Sequence, residues 1–103
     1  MKIIEKISDM IEDEVDGAKH YAKCAVKYKE EYPTLAKTFY DIAIVELTHI
    51  DLLHAQVVKL IEEYRRTKGD PPKEMQFVYN YLHDKQIEKV NEAKNYLATY
   101  RGQ

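Results

Sequence analysis

The sequence contains few residues that break helices or cross-link a chain: three glycines, three prolines and one cysteine among 103 residues, with no tryptophan. The single cysteine, Cys24, excludes an intramolecular disulfide and any metal ribbon built from paired cysteines. No apolar run approaches the roughly 18 residues that a membrane span needs, so no membrane partner is expected. Sixteen basic residues stand against eighteen acidic ones, for a formal net charge of -2. Without an excess of positive charge to neutralise phosphates, nucleic acid is not an expected partner either.

Glycine and proline interrupt the chain at two places, Tyr32-Pro33-Thr34 and Gly69-Asp70-Pro71-Pro72. Elsewhere apolar residues recur at steps of three and four, as on one face of a helix, and strict alternation is absent. Pro33 or Thr34 is expected to begin a helix, and Asp70 is expected to cap the next one. The sequence therefore predicts a single domain, residues 1–103, with helices at about 3–31, 34–68 and 72–101.

A turn of about three residues between two long helices forces them to run antiparallel. At about 1.5 Å per residue the second helix would be about 50 Å long, which is long for so small a domain. A short chain also has difficulty burying its apolar surface alone. We therefore expect an all-α fold, a long antiparallel hairpin plus a third helix, that is completed by further copies of the chain. Acidic residues begin too early at the N-terminus for a secretory signal, so the expected location is the cytoplasm.

Three polar residues interrupt the apolar stripes of the first two helices: Glu14 in the first, and Glu46 and His49 in the second. A buried carboxylate is costly unless it is paired or bound to a cation. At about 1.5 Å per residue, Glu14 lies about 28 Å from the turn at Pro33 and the Glu46/His49 pair about 22 Å, a difference that side chains can bridge. These residues are predicted to bind a metal ion, and oxygen and imidazole ligands suit iron or manganese.

The stretch from Glu14 through Tyr21 to Glu46-Leu47-Thr48-His49 resembles the first half of the ferritin-like di-iron superfamily and is similar to rubrerythrins. The short chain with its acidic run around Glu14 looks more like the half-length encapsulated ferritin-like proteins. That resemblance implies a four-helix bundle completed by dimerisation, with a di-iron site at the two-fold axis to which each copy gives Glu14, Glu46 and His49. It also implies ferroxidase activity, the oxidation of Fe(II) by dioxygen or peroxide. Glu46 would bridge the metals, and Tyr21 would be a nearby hydrogen-bond donor or electron relay.

The chain departs from these families in its single ligand set, because one copy cannot supply a complete di-iron site. It also lacks the cysteine-rich segment of rubrerythrins. The resemblance implies an encapsulating shell as a partner, but Tyr100-Arg101-Gly102-Gln103 lacks the apolar tail expected of shell cargo. The alternative function is a non-catalytic helical assembly or adaptor protein with a vestigial metal site. In that case Glu46 and His49 would form a buried hydrogen bond, and Tyr21 would only pack in the core.

Residues beside the predicted ligands have two interpretations. Asp13 and Asp16 form either an acidic path for metal ions or a solvated turn. Gly17 lies one turn after Glu14, where its low helix propensity indicates a close helix approach or a bulge.

The remaining histidines are assigned by their positions on the helices. His20 and His54 lie off the apolar stripes and are expected at the surface. His83 would reach the metal site only if the third helix covers it.

Overall fold

Three α-helices make up nearly the whole chain in the computed structural model, which describes residues 1–103. Helix α1 spans Lys2–Tyr28, α2 spans Pro33–Lys68 and α3 spans Lys73–Tyr100, and no strand is present. The predicted all-α class and the three predicted helices are confirmed. None of these helices is both long and apolar enough to cross a membrane.

The helix ends follow the positions of proline and glycine. Pro33 lies in the first turn of α2, where its missing N–H breaks no helical hydrogen bond, and Tyr32 before it is extended, with φ -133°. Helix α1 consequently ends at Tyr28 rather than near residue 31. Gly69 follows α2 with a φ of 85°, which glycine adopts without strain. The expected cap of α3 by Asp70 is wrong, because Pro72 precedes the helix and no side chain caps it.

Helix α1 contacts both other helices along its length, whereas α2 and α3 touch each other only sparsely. The buried face of α1 is rich in alanine, and the faces it meets on α2 and α3 also carry buried alanines, so the helices can approach closely. The resulting bundle is elongated, with dimensions of 55 × 20 × 18 Å. The core combines residues of all three helices: Ile11, Val15, Ala18, Ala22, Ala43, Ile50, Ala93 and Leu97.

Polar contacts set the position of α3 along α1. The buried amide of Gln86 donates to the Ser8 hydroxyl at 3.2 Å. One turn further along α3, the Lys89 ammonium lies 3.2 Å from Glu12 and 3.1 Å from Asp16. Asp16 therefore forms an ion pair between helices, a role different from both interpretations given for it, the acidic path for metal ions and the solvated turn.

The fold leaves apolar side chains uncovered on two surfaces. The outer stripe of α2 consists of Leu35, Val45 and Leu52, which are 46%, 52% and 62% exposed, together with the half-buried Ile42. Their successive spacings of seven, three and seven residues place them on one helix face. The other surface lies on α3 and includes Phe77, which is 73% exposed. Exposed apolar side chains that share one helix face, as in the outer stripe of α2, indicate a candidate site of association.

Candidate metal centre

A groove of about 410 Å³ opens between α1 and α2 and contains all three predicted metal ligands. Helix α1 contributes Glu14, and α2 contributes the remaining side chains from positions three or four residues apart. The groove adjoins the outer stripe of α2 and shares Ile42 and Val45 with it. Its lining comprises Glu14, Thr38, Asp41, Ile42, Val45, Glu46 and His49.

Glu14 and His49 face each other across the two helices. Glu14 Oε2 lies 3.4 Å from His49 Nδ1, and the two side chains are 31% and 48% exposed. This distance is long for a charge-assisted hydrogen bond, which is normally about 2.7–2.9 Å. Two ligand atoms bound to one ion at about 2.1 Å would lie about 3.0–3.4 Å apart, depending on the angle at the metal. The observed spacing therefore suits two ligands of one cation better than a strong direct hydrogen bond.

Glu46 is the most unusual side chain of the groove. Its Oε2 atom is buried and has no hydrogen-bond partner. Burial raises the pKa of Glu46 above its ordinary value of 4.5, and the nearby Glu14 carboxylate raises it further, while His49 and His20 act in the opposite direction. An unpartnered buried acceptor destabilises a fold, so such an atom requires a separate explanation.

Gly17 provides the space that the Glu46 carboxylate occupies. A Cβ atom built on Gly17 would lie 2.4 Å from Glu46 Oε2 and 3.0 Å from its Cδ, far inside ordinary contact distance. Any other residue at position 17 would have to displace this carboxylate. Of the two interpretations of Gly17, the bulge is absent, because α1 is continuously helical there. The close approach at this position is made by a carboxylate of α2.

The other candidate residues do not line the groove. Tyr21 packs its ring against Phe39, with a centroid separation of 5.9 Å. His20 is exposed, as predicted, yet it is close enough to lower the pKa of Glu46. His83 does not reach the groove but stacks on His54 elsewhere between α2 and α3.

Two polar residues of the groove, Thr38 and Asp41, were not predicted from the sequence. Both lie on the side of α2 that continues the Glu46/His49 face toward the N-terminus of the helix. Asp41 forms an ion pair with Lys37 one turn earlier, which explains its charge without a ligand role. The seven-residue spacing from Thr38 to Val45 and from Ile42 to His49 is the signal that could have identified this face.

Within one chain, no three histidine, cysteine or acidic side chains converge closely enough to hold a metal ion. The groove of one chain therefore does not by itself hold a complete set of metal ligands. Comparison with known proteins finds no matching family model, no matching curated protein and no matching solved structure.

Proposed function

We propose that the chain is a ferritin-like metal-binding protein whose groove becomes a di-iron site when two copies associate. The observation that carries this proposal is the unpartnered buried oxygen of Glu46. A bound cation would compensate this carboxylate, which has no other partner in the fold. The Glu14–His49 spacing of 3.4 Å supports the same reading, because it suits two atoms that share one ion.

The residues of the groove fit iron as the occupant. Each chain offers the carboxylates of Glu14 and Glu46 and the imidazole of His49, a set of oxygen and nitrogen donors suited to iron or manganese. The space left by Gly17 holds Glu46 beside the groove rather than in solvent. Two copies would supply four carboxylates and two imidazoles, the number of ligands used by di-iron carboxylate bundles.

The exposed outer stripe of α2 supports a second copy as the missing half of the site. Val45 and Leu52 are more than half exposed and flank His49 along the same helix face. In a two-fold dimer a self-complementary patch meets itself, so burying the stripe would also bring the two ligand sets together. The two hairpins would then form the four-helix bundle, with α3 of each copy outside it.

The reaction we propose is oxidation of Fe(II) substrate to Fe(III) by dioxygen or peroxide. With dioxygen, two Fe(II) ions supply two electrons, and two protons are taken up as hydrogen peroxide forms. Burial and the neighbouring Glu14 carboxylate raise the pKa of Glu46, so before iron binds its carboxyl group holds a proton to a higher pH than an exposed glutamate does. Glu14 would orient His49 from across the groove, and Tyr21, seven residues after Glu14 on α1, would be the hydrogen-bond donor or electron relay.

The test measures iron content and the rate of Fe(II) oxidation in protein prepared without oxygen. We expect one iron per chain in the wild type and loss of tight binding in His49→Ala with helix content unchanged. If the Glu46 carboxylate serves both ions of the proposed site, Glu46→Ala should lose more iron than Glu14→Ala. The matched control is Glu62→Ala, which removes an exposed carboxylate of α2 outside the groove.

Full iron loading and wild-type oxidation rates in His49→Ala would overturn the di-iron proposal. The adaptor or assembly function would then be favoured, since the outer stripe of α2 would still require a partner. A wild-type monomer that binds iron tightly would contradict the shared site in particular. Light scattering with and without iron distinguishes these outcomes.

A further inference from the structure

A second pair of potential metal ligands lies between α2 and α3, away from the groove. The rings of His54 and His83 are nearly parallel, with an interplanar angle of 9° and centroids 4.9 Å apart. The two residues come from different helices and stand 29 positions apart in the sequence. Since α2 and α3 touch only sparsely, this stack is one of the few contacts between them.

The pair borders a cavity of about 240 Å³ that can admit a hydrated ion. Asp51, one turn before His54, lines the same cavity and contributes negative charge. Lys94 lines it from α3 and opposes a cation, so the charges facing the two rings nearly balance. The donors are then imidazole nitrogens, in contrast to the two carboxylates and one imidazole of the groove.

We infer that His54 and His83 form a two-histidine clamp for a divalent transition-metal ion such as zinc. Two nitrogens bound to one zinc ion are about 3.3 Å apart at a tetrahedral angle and about 4.1 Å apart when opposite, from Zn–N bonds of about 2.0–2.1 Å. The ring nitrogens lie at the ring edges. If the two rings tilt toward each other, the nitrogen–nitrogen distance becomes shorter than the 4.9 Å between the ring centroids. Water would fill the remaining coordination positions.

Such a clamp would fasten α3 to α2, a junction that the apolar core leaves weak. If zinc binds only when α3 is packed beside α2, zinc binding stabilises that packed state by mass action. The second imidazole binds intramolecularly, so removing either one should weaken zinc binding on the order of 100-fold. This inference does not depend on iron binding in the groove, because it uses different residues on a different helix pair.

The test uses a His20→Phe/His49→Ala parent, in which His54 and His83 are the remaining histidines of the four in the chain. Calorimetric titration with Zn²⁺ should give one site per chain, and zinc should raise the thermal midpoint of the parent. His54→Phe or His83→Phe, added singly, keeps an aromatic ring in the stack but removes a ligand. Each should weaken zinc binding about 100-fold and abolish the thermal shift.

Circular dichroism without zinc checks that the phenylalanine variants remain folded. Zinc affinity in His83→Phe within about threefold of the parent would overturn the clamp. An increase in molecular mass on zinc binding would also overturn it, since the ion would then join separate molecules instead of two helices of one chain. An unchanged mass with the ligand-dependent thermal shift is the expected result.

Discussion

Replacing Gly17 with alanine should make the protein more stable and a poorer iron binder at the same time. The new Cβ would lie 2.4 Å from Glu46 Oε2, whereas ordinary contact begins at 3.4 Å, so the carboxylate must move by about 1 Å. The carboxylate is the far end of a flexible side chain, and it can turn toward solvent. Removal from a site that raises its pKa carries no penalty in the metal-free protein.

The two effects have separate magnitudes. Alanine is favoured over glycine inside a helix by about 1 kcal/mol, which should raise the thermal midpoint of the metal-free protein by about 5 °C. A misplacement of about 1 Å at a reacting centre can lower a rate by about 100-fold, which is the loss expected in Fe(II) oxidation. Thermal unfolding with chelator present and stopped-flow oxidation of Fe(II) measure the two quantities.

The matched control adds the same substitution to Glu46→Ala, where no carboxylate remains to be displaced. There Gly17→Ala should give only the gain in helix stability. A Gly17→Ala protein with wild-type iron content and oxidation rate would refute the role assigned to this glycine. A loss of stability seen only when Glu46 is present would show that the carboxylate cannot turn toward solvent. That result would contradict the predicted gain in stability.

Three further predictions concern the titration of Glu46, the outer stripe of α2 as an interface, and Tyr21. In chelated protein, Glu46 stabilises the fold most below its unfolded pKa near 4.5 and loses this contribution as pH rises through its raised folded pKa. The unfolding free energy of wild type relative to Glu46→Gln should therefore fall over that range, and a flat or rising difference would contradict it. If the proposed dimer forms through the outer stripe, Leu52→Asp should give a monomer with reduced iron loading, measured by light scattering and elemental analysis, whereas Phe77→Asp on α3 should change neither. A dimeric Leu52→Asp protein would exclude the outer stripe as the interface. Tyr21→Phe should slow Fe(II) oxidation at unchanged iron content, and an unchanged rate would leave Tyr21 as a packing residue against Phe39.

The helices could be predicted from the sequence because the signals that form them are local. Pro33 and Gly69 mark the ends of α2, and apolar residues at steps of three and four mark the faces. The approach of Glu14 to His49 followed from their similar distances to the turn at Pro33 and from the antiparallel hairpin. Only the two helices joined by that short turn allowed such a comparison.

Contacts of α3 could not be predicted in the same way. Its apolar pattern is broken by Gln86, and the longer connection to α2 leaves its position along α1 open. The pairing of Lys89 with Asp16 and the stack of His83 on His54 both depend on that position. The occupation of the Gly17 space by Glu46 likewise depends on how closely two helices approach, which a sequence period does not encode.

The sparse contact between α2 and α3 has a consequence for how the molecule opens. Helix α3 is held mainly by α1. It can therefore detach while α1 and α2 remain packed against each other. Regions with fewer buried contacts open at lower free energy, and their amide hydrogens exchange faster with solvent. Amides of α3 should therefore exchange before those flanking Glu14 and Glu46. The α1–α2 hairpin, which carries Glu14, Glu46 and His49, would then be a cooperative unit that stays folded during transient opening events in which the third helix is released.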